Sequence, residues 1–437
     1  MSNLDLPAGE AGETIWDVVV IGGGPAGMMS AGRAAELGAK VLLLEKNDSL
    51  GKKLLITGGG RCNLTNNQTD TRKFLSRYRD SGKFLFSAFS QFAVQDALDF
   101  FHNLKMETKE EALGRVFPLS NTAQSVWDTL LQYLKQNKVT IQSNSPVIGF
   151  EKQPLKASSG RMTKGNKITG VLLKNKTKIK AKSFILATGG KSRPETGSTG
   201  DGFLWLKDLG HKVIDSSASL VPIKIKDEWV KKLQGVSLED VKINVLQNSE
   251  KQNVKRGKIL FTHFGLSGPT ILNLSSDLGE LLKYDAVFLS LDILPNLDHG
   301  QLNQKLQDII AEKSNKKFKN TLDSLLPSAL VPIVVKFSKI DAEKQSNSIT
   351  REERLSLVEL LKNIKMEVKG LLGVEKAIIT SGGVSLDEVD FKTMSSRLFP
   401  NLYLVGDMLN IDRPSGGYSL QLCWTTGFVA GSSAGKI

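Results

Sequence analysis

"DVVVIGGGPAGMMSAGRAAELGAKVLLLEK", Asp17 to Lys46, decides how this chain folds at its N-terminal end. Its first apolar run does not alternate with polar residues, as expected of a parallel strand buried on both faces. The run ends in glycines, which tolerate the backbone angles of a tight turn. "PAGMMSAGRAAELG" then reads as a helix rich in Ala and Gly and stopped at Gly38, and "AKVLLLEK" as the next strand. Gly22, Gly24 and Gly27 form G-x-G-x-x-G between strand and helix, with Pro25 and Ala26 inside the turn. In this spacing the first glycine permits the turn, the second lets a pyrophosphate approach the backbone, and the third seats the helix on the sheet. Glu45, at the end of the second strand, can accept both hydroxyls of an adenosine ribose. An acid there, rather than Arg, disfavours a 2′-phosphate, so the expected dinucleotide is FAD or NAD.

Bulk properties set the frame around this unit. A chain of 437 residues is long enough for two or three domains. Its charged and hydrophobic fractions, 24% and 40%, are those of a soluble globular protein. No apolar run approaches the length of a bilayer span, and "MSNLDLPAGEAGETIW" lacks the basic start and apolar core of a secretory signal. A cytoplasmic location without membrane contact is expected. Two cysteines, Cys62 and Cys423, make neither a disulfide framework nor a metal cluster, and no metal is expected. The net charge of +13 is concentrated: Glu151 to Lys182 holds ten Lys/Arg against one acid, or +9 of the total. In "KNKTKIKAK" the lysines alternate, so a strand would carry them on one face. Without interleaved aromatic residues for base stacking, that face reads as a solvated hairpin, and nucleic acid is a disfavoured partner.

Further along, "FSAFSQFAVQDALDFFHNL" reads as a helical stretch and "SVWDTLLQYLKQN" as an amphipathic helix. "KITGVLLKNKTKIKAKSFILATGG" reads as a hairpin whose last strand enters a glycine turn. Near Ser217 the character changes to short strands ("LVPIKI", "VKINVLQ", "AVFLSLDI") and helices ("GQLNQKLQDIIAEK", "REERLSLVELLKNI"). Strand-and-glycine style returns in "KAIITSGGVSL" and "NLYLVGDML". The simplest organisation is an α/β domain made by both chain ends, 1–217 and 367–437, with a β-rich and helical domain, 218–366, inserted.

The far end of the chain chooses between the dinucleotides. "NLYLVGD" places Gly406 and Asp407 after a strand, where flavoproteins with two dinucleotide motifs use an Asp to hold the ribityl chain of FAD. Gly416, Gly417 and Tyr418 open a helix whose N–H groups can stabilise negative charge on reduced flavin. "FILATGG" contributes Ala187, Thr188, Gly189 and Gly190 as a third glycine turn near the cofactor. These features together select FAD. A second glycine run, Gly58 to Gly60 in "LLITGGGRCNLTNN", lets backbone lie against a flat ring system without Cβ collisions. Arg61, Cys62 and Asn63 would then border the flavin's polar edge, and Lys46, Lys53 and Val147 are further candidates beside the cofactor.

Arranged as "VVVIGGGPAG", "GKKLLITGGGRCNLTN", "GRVFPLS", "ILATGG", "GSTGDGF", "FTHFGLSGP", "TSGGVSL" and "GGYSLQ", the chain resembles the BaiN-like (aminoacetone-oxidase-like, YhiN-type) NAD(P)/FAD-dependent oxidoreductases nearly end to end. The resemblance implies a glutathione-reductase-like FAD domain carrying an insertion; one member type is associated with reducing conjugated double bonds in steroid-like enones. The family more often has Glu where Asp407 stands. His263, in "FTHFGLSGP", is the candidate proton donor, and Arg61 and Cys62 are the other candidate catalytic groups, although solitary thiols more often serve packing. Arg61 and Arg413 could neutralise reduced flavin, an acidic substrate or a phosphate. No second G-x-G-x-x-G is present, so NAD(P)H would bind transiently. The expected activity is hydride transfer from NAD(P)H through FAD to an unsaturated or carbonyl small molecule, or to O₂. A flavin-dependent RNA-modifying protein and a non-catalytic FAD-binding protein are the alternatives.

Overall fold

A computed structural model describes residues 15–156, 162–214, 218–373, 379–380 and 382–436. The N-terminal segment before Ile15, Arg161 of the basic stretch, Ser217 and most of "KAIITS" lie outside the described residues. The chain forms two compact units: one from Met1–Ser217 and Ile379–Ile437, the other from Ala218–Ile378.

In the first unit, strand β1 (Trp16–Ile21), helix α1 (Pro25–Glu36) and strand β2 (Val41–Leu44) form the opening β–α–β element. Val18, Val19 and Val20 have no exposed surface, which is why their run needs no polar alternation. The helical stretch from Phe86 is made of two helices, Gly82–Phe89 and Val94–Asn103. The break has a local cause: the Asp96 carboxylate accepts a hydrogen bond from the Ala93 N–H at 2.7 Å and caps a new helix. Helix α2 (Ala123–Gln136) and strand β3 (Thr140–Gln142) follow, β3 pairing in parallel with β2. Strands β4 (Val147–Lys156), β5 (Met162–Leu173) and β6 (Lys178–Leu186) form a meander. β6 serves two sheets: Lys178 to Lys180 pair antiparallel with β5, while Ala181 to Leu186 run parallel to β1. Its lysines do share one face, and part of that charge is neutralised, since Lys178 pairs with Glu151 at 2.6 Å and Lys182 with Asp17 at 2.8 Å. Helix α3 (Asp201–Asp208) completes this half.

The second unit is built on a closed antiparallel barrel. Its strands are β7 (Ile223–Ile225), β8 (Ser237–Gln247), β9 (Glu250–Thr262), β10 (Gly265–Ser267), β11 (Val287–Asp292) and β12 (Ile364–Leu371), in the order β7-β10-β9-β8-β11-β12. Val241, Ile243 and Val245 are fully buried, so Lys242, Asn244 and Leu246 occupy the other face of β8. Helices α4 (Pro269–Leu281), α5 (His299–Glu312) and α6 (Arg351–Lys362) belong to the same unit. The expected return to the first domain at residue 367 falls inside β12, whose hydrogen bonds to β7 and β11 bind it into the barrel.

The chain end re-enters the first unit as β13 (Leu402–Leu404), parallel to β6, and as helix α7 (Tyr418–Ala434). α7 packs backbone to backbone on α1. A Cβ on Gly427 would stand 2.6 Å from the Ala26 oxygen, and one on Gly431 would stand 2.5 Å from the Ser30 oxygen. Only glycine at both positions permits this approach. Met28 and Met29 are fully buried in this core, worth roughly 1.5–3 kcal/mol each.

Candidate dinucleotide and flavin site

The first unit gathers most of the candidate residues around the ends of β1, β2, β6 and β13. At Gly22 the backbone takes φ +104°, and a Cβ would lie 2.6 Å from the Ala187 oxygen. Gly27 is tighter still, with a Cβ placed 1.9 Å from the Gly22 oxygen. Gly24 differs: among the described residues nothing lies within 4 Å of its Cβ position, so the turn has open space where a phosphate group would approach. Pro25 has no N–H, and the other first-turn N–H groups of α1 have no acceptor within the helix.

Glu45 is almost fully buried, and its carboxylate is oriented by two backbone donors. Oε2 accepts from the Gly23 N–H and Oε1 from the Asn47 N–H, each at 2.8 Å. Each oxygen keeps a second lone pair for a ribose hydroxyl. A cavity of about 40 Å³ adjoins it, with Val147, Thr188 and Trp205 among its walls. Residues 192–201 cross beside this cavity as a strap. Lys46 Nζ donates to Thr199 Oγ1 at 2.6 Å and pairs with Asp201 at 2.8 Å; the Asn47 amide donates to the Thr196 carbonyl at 3.1 Å. Burial raises the Asp201 carboxyl pKa, but Lys46 and Thr199 outweigh it and hold it below its ordinary value. Gly197 and Gly200, with φ of +102° and +83°, let the strap turn. Sequence reasoning missed this strap, although the glycine pair in "GSTGDGF" signalled a tight segment.

The second glycine run is a left-handed turn. Gly58, Gly59 and Gly60 take φ of +58°, +70° and +83°, and all three are exposed. Among the described residues, nothing lies within 4 Å of the Cβ positions of Gly59 and Gly60. Cys62 follows, also left-handed, with its thiol in the core. Burial pushes the Cys62 thiol up to about 12, and Cys423, equally buried, is pushed up to about 12 as well. Both are therefore protonated at neutral pH. Arg61 does not project freely: it pairs with Glu111, donates to Asn121 Oδ1 at 2.7 Å and stacks on Phe117 with its carbon 4.2 Å from the ring centre. Asn63, in the amide orientation that satisfies its neighbours, accepts from the Gly417 N–H at 3.0 Å. That contact ties the turn to the start of α7.

Asp407 sits at the centre of a buried charge cluster. It pairs with Arg413 and, at 3.3 Å, with Lys53, which also donates to Ser192 Oγ at 2.6 Å. Burial raises the Asp407 carboxyl pKa; Arg413 and Lys53 more than offset this and leave it lowered. Arg413, itself buried, donates to the Ile411 carbonyl at 2.8 Å and to Ser419 Oγ at 3.1 Å. Gly406 precedes Asp407 at φ +61°. Gly416 and Gly417 take φ of +113° and +103°, and a Cβ on Gly417 would stand 2.2 Å from the Thr65 carbonyl carbon. The Tyr418 ring packs among aromatic side chains, 4.8 Å from Phe74 centre to centre. Ala187 N–H bonds to the Ile21 carbonyl at 2.8 Å, Thr188 Oγ1 lies 3.1 Å from the Met408 sulfur, Gly189 takes φ +73° and Gly190 is buried.

His263 belongs to the second unit. With Phe264 it forms the two-residue connection between Thr262 and Gly265, which pair across the hairpin. It is exposed, and its ring stands edge-on to Phe264 at 4.8 Å. Among the described residues no group of His, Cys, Asp and Glu is arranged to hold a metal ion, and no helix is long and apolar enough to cross a membrane.

The residues present fit a dinucleotide: open space at Gly24, an oriented carboxylate at Glu45 and an adjoining cavity. Comparison with known proteins agrees. A ribosomal RNA dihydrouridine synthase of Escherichia coli (strain K12) is 30% identical over 414 residues, 94% of this chain and 96% of that one. A 3-dehydro-bile acid delta(4,6)-reductase of Clostridium scindens is 29% identical over 420 residues, 95% of this chain and 98% of that one. In fold, the chain is similar to a 3-ketosteroid delta1-dehydrogenase from Sterolibacterium denitrificans, with a TM-score of 0.54 at 13% identity, covering 96% of this chain and 99% of that one. It is also similar to a flavocytochrome c3 fumarate reductase, with a TM-score of 0.53 at 16% identity, covering 98% of this chain and 79% of that one. The sequence pattern of the HI0933-like protein Rossmann domain matches residues 16–433, and the chain belongs to that family as an FAD-dependent oxidoreductase.

Proposed function

We propose that the protein uses NAD(P)H to reduce a carbon–carbon double bond conjugated to a carbonyl. The observation that supports this most is the common chemistry of two relatives similar over 94% and 95% of the chain: one is a delta(4,6)-reductase of a 3-dehydro-bile acid, the other makes dihydrouridine. Each of those names describes saturation of a C=C activated by a carbonyl. The reaction adds a hydride to the carbon β to the carbonyl and a proton to the α carbon, while NAD(P)H is oxidised to NAD(P)⁺. Bound FAD supplies the two-electron transfer between donor and acceptor.

The chain's own residues take the remaining roles. Glu45 holds the adenosine ribose, and the N-terminus of α1 takes the pyrophosphate. Lys53, Asp407 and Arg413 together leave one net positive charge, which with the start of α7 favours an anion beside them. Gly59 and Gly60 offer bare backbone to a flat ring. Both thiols are enclosed and raised by burial, which disfavours Cys62 and Cys423 as thiolate nucleophiles. His263 is our candidate for the acid that protonates the α carbon. A free small molecule is the first reading of the substrate. A uracil carried by RNA is the second, favoured by the net charge of +13 and by the Escherichia coli relative.

Anaerobic stopped-flow tests the proposal. NADH or NADPH should bleach the flavin absorbance, and a conjugated enone or a uridine-containing RNA should restore it. His263→Ala should leave the first phase intact and slow the second by roughly 10²-fold. Reoxidation by O₂ alone, with no response to any conjugated acceptor, would sink the reading. A slow first phase in the variant would move His263 to the nicotinamide step.

A further inference from the structure

The second unit carries a groove of about 720 Å³ that has no part in the dinucleotide site. That volume is in the range of small-ligand sites. Its floor is the outer face of β8, β11 and β12, where Asn244, Ser290 and Lys365 stand side by side in register. Neighbouring strands lie about 4.8 Å apart, so the three side chains emerge along one short row. Lys242 is one step along β8, and Lys251 lines the same groove from β9.

The acids of the groove already have partners. Asp292 pairs with Lys362 at 2.6 Å, both nearly buried. Asp298 caps α5 by accepting the Gln301 N–H at 2.8 Å, and Glu359 lies 3.4 Å from His299. Lys242, Lys251 and Lys365 have neither an ion pair nor a side-chain hydrogen bond among the described residues. The uncommitted charge of the groove is therefore positive. Between these lysines lies an uncommitted acceptor: Asn244 Oδ1 is buried and has no donor among the described residues. Such an atom is costly to leave unpaired, and it calls for an O–H or N–H from a bound molecule or from water. No Phe, Tyr or Trp lines the groove, and its one aromatic ring, that of His299, lies beside Glu359, so the groove has no row of rings on which successive bases could stack.

We propose that this groove binds a phosphorylated sugar, as found in a free nucleotide or along an RNA strand. The three lysines take phosphate oxygens, and Asn244 Oδ1 accepts from a sugar hydroxyl. Recognition is of the backbone and independent of base identity. The proposal goes beyond the reductase reading and does not depend on it, because its readout is binding to the FAD-loaded protein and not turnover.

The test titrates the FAD-loaded full chain with three probes: a short labelled oligoribonucleotide of mixed sequence, ADP and inorganic phosphate. The variants are the triple substitution Lys242→Gln, Lys251→Gln, Lys365→Gln and the single substitution Asn244→Ala, each checked for unchanged FAD content and melting temperature. If the oligoribonucleotide binds, its dependence of log K on log salt should flatten by about 2 in the triple variant, roughly 0.7 per lysine. Affinity should fall at least 10-fold, and Asn244→Ala should weaken binding several-fold without changing the salt slope. Tight binding of the oligoribonucleotide with none of ADP assigns the groove to RNA, and comparable binding of ADP assigns it to a free nucleotide. The proposal is overturned if wild-type protein binds none of the probes, binds phosphate alone, or binds as well after the triple substitution.

Discussion

Glu45 shows what one side chain contributes when the backbone around it is already committed. Two N–H groups, from Gly23 and Asn47, hold its carboxylate before any ligand arrives. Glu45→Gln replaces one accepting oxygen by an NH₂ facing a backbone N–H and removes the charge that strengthens ribose hydrogen bonds. FAD retention should weaken by about 1.5–3 kcal/mol, or roughly 10- to 150-fold in dissociation constant. Equilibrium dialysis of the released flavin measures this directly; full occupancy through dilution would remove Glu45 from the ribose. Other single residues were less legible in sequence. Asp407 reads as a lone carboxylate after a strand, yet its partner Lys53 comes from 354 positions earlier in the chain. Arg61 reads as a free cation beside a glycine run, yet Glu111, Asn121 and Phe117 hold it. Charge partners so far apart in sequence leave no local signal.

Among the elements, α7 was readable as a helix but not as a partner of α1. Gly427 and Gly431 lie one helical turn apart and let α7 approach the Ala26 and Ser30 carbonyls of α1. Gly431→Ala would place a methyl group 2.5 Å from the Ser30 oxygen, against backbone that cannot rotate away. The two helices must separate locally, at an expected cost of about 1–3 kcal/mol. Urea denaturation should show that loss as a lower midpoint with an unchanged slope. A variant as stable as wild type would mean that the helices have room to spare. Because α1 carries the phosphate-facing turn and α7 starts beside Gly416 and Gly417, this contact connects the two halves of the dinucleotide site.

Taken as a whole molecule, the first unit is one fold made from two chain segments, and its stability depends on contacts between them. His211 is such a contact. Its Nδ1 lies 2.8 Å from Glu388 and its Nε2 lies 3.0 Å from Ser396 Oγ. Burial lowers the His211 pKa below its ordinary value of 6.5, and Glu388 offsets only part of that. A histidine with a depressed folded-state pKa binds a proton more readily when unfolded. Its contribution is therefore complete above about pH 6.5 and is lost as pH falls from there through the folded-state value. His211→Gln should be less stable at pH 8, yet lose less further stability on acidification across this window. Urea midpoints measured at intervals from pH 8 to 5 decide it; parallel wild-type and variant curves would rule the linkage out.

The sequence by itself determined the β–α–β opening, the FAD preference and the insertion of a second unit. Each is written in neighbouring residues: glycine spacing with Glu45, a small-residue helix after Gly417, a change of strand style near residue 217. "VKINVLQ" likewise announced a strand. Closure of that strand into a barrel through β7-β10-β9-β8-β11-β12 was decided only in three dimensions, because pairing order depends on which apolar faces meet. The same holds for the Lys46–Asp201 strap, the Lys53–Asp407–Arg413 cluster and the depth of both thiols. Their energies come from burial and from charges 155 and 354 residues apart, and neither burial nor such distant pairing leaves a periodic trace along the chain.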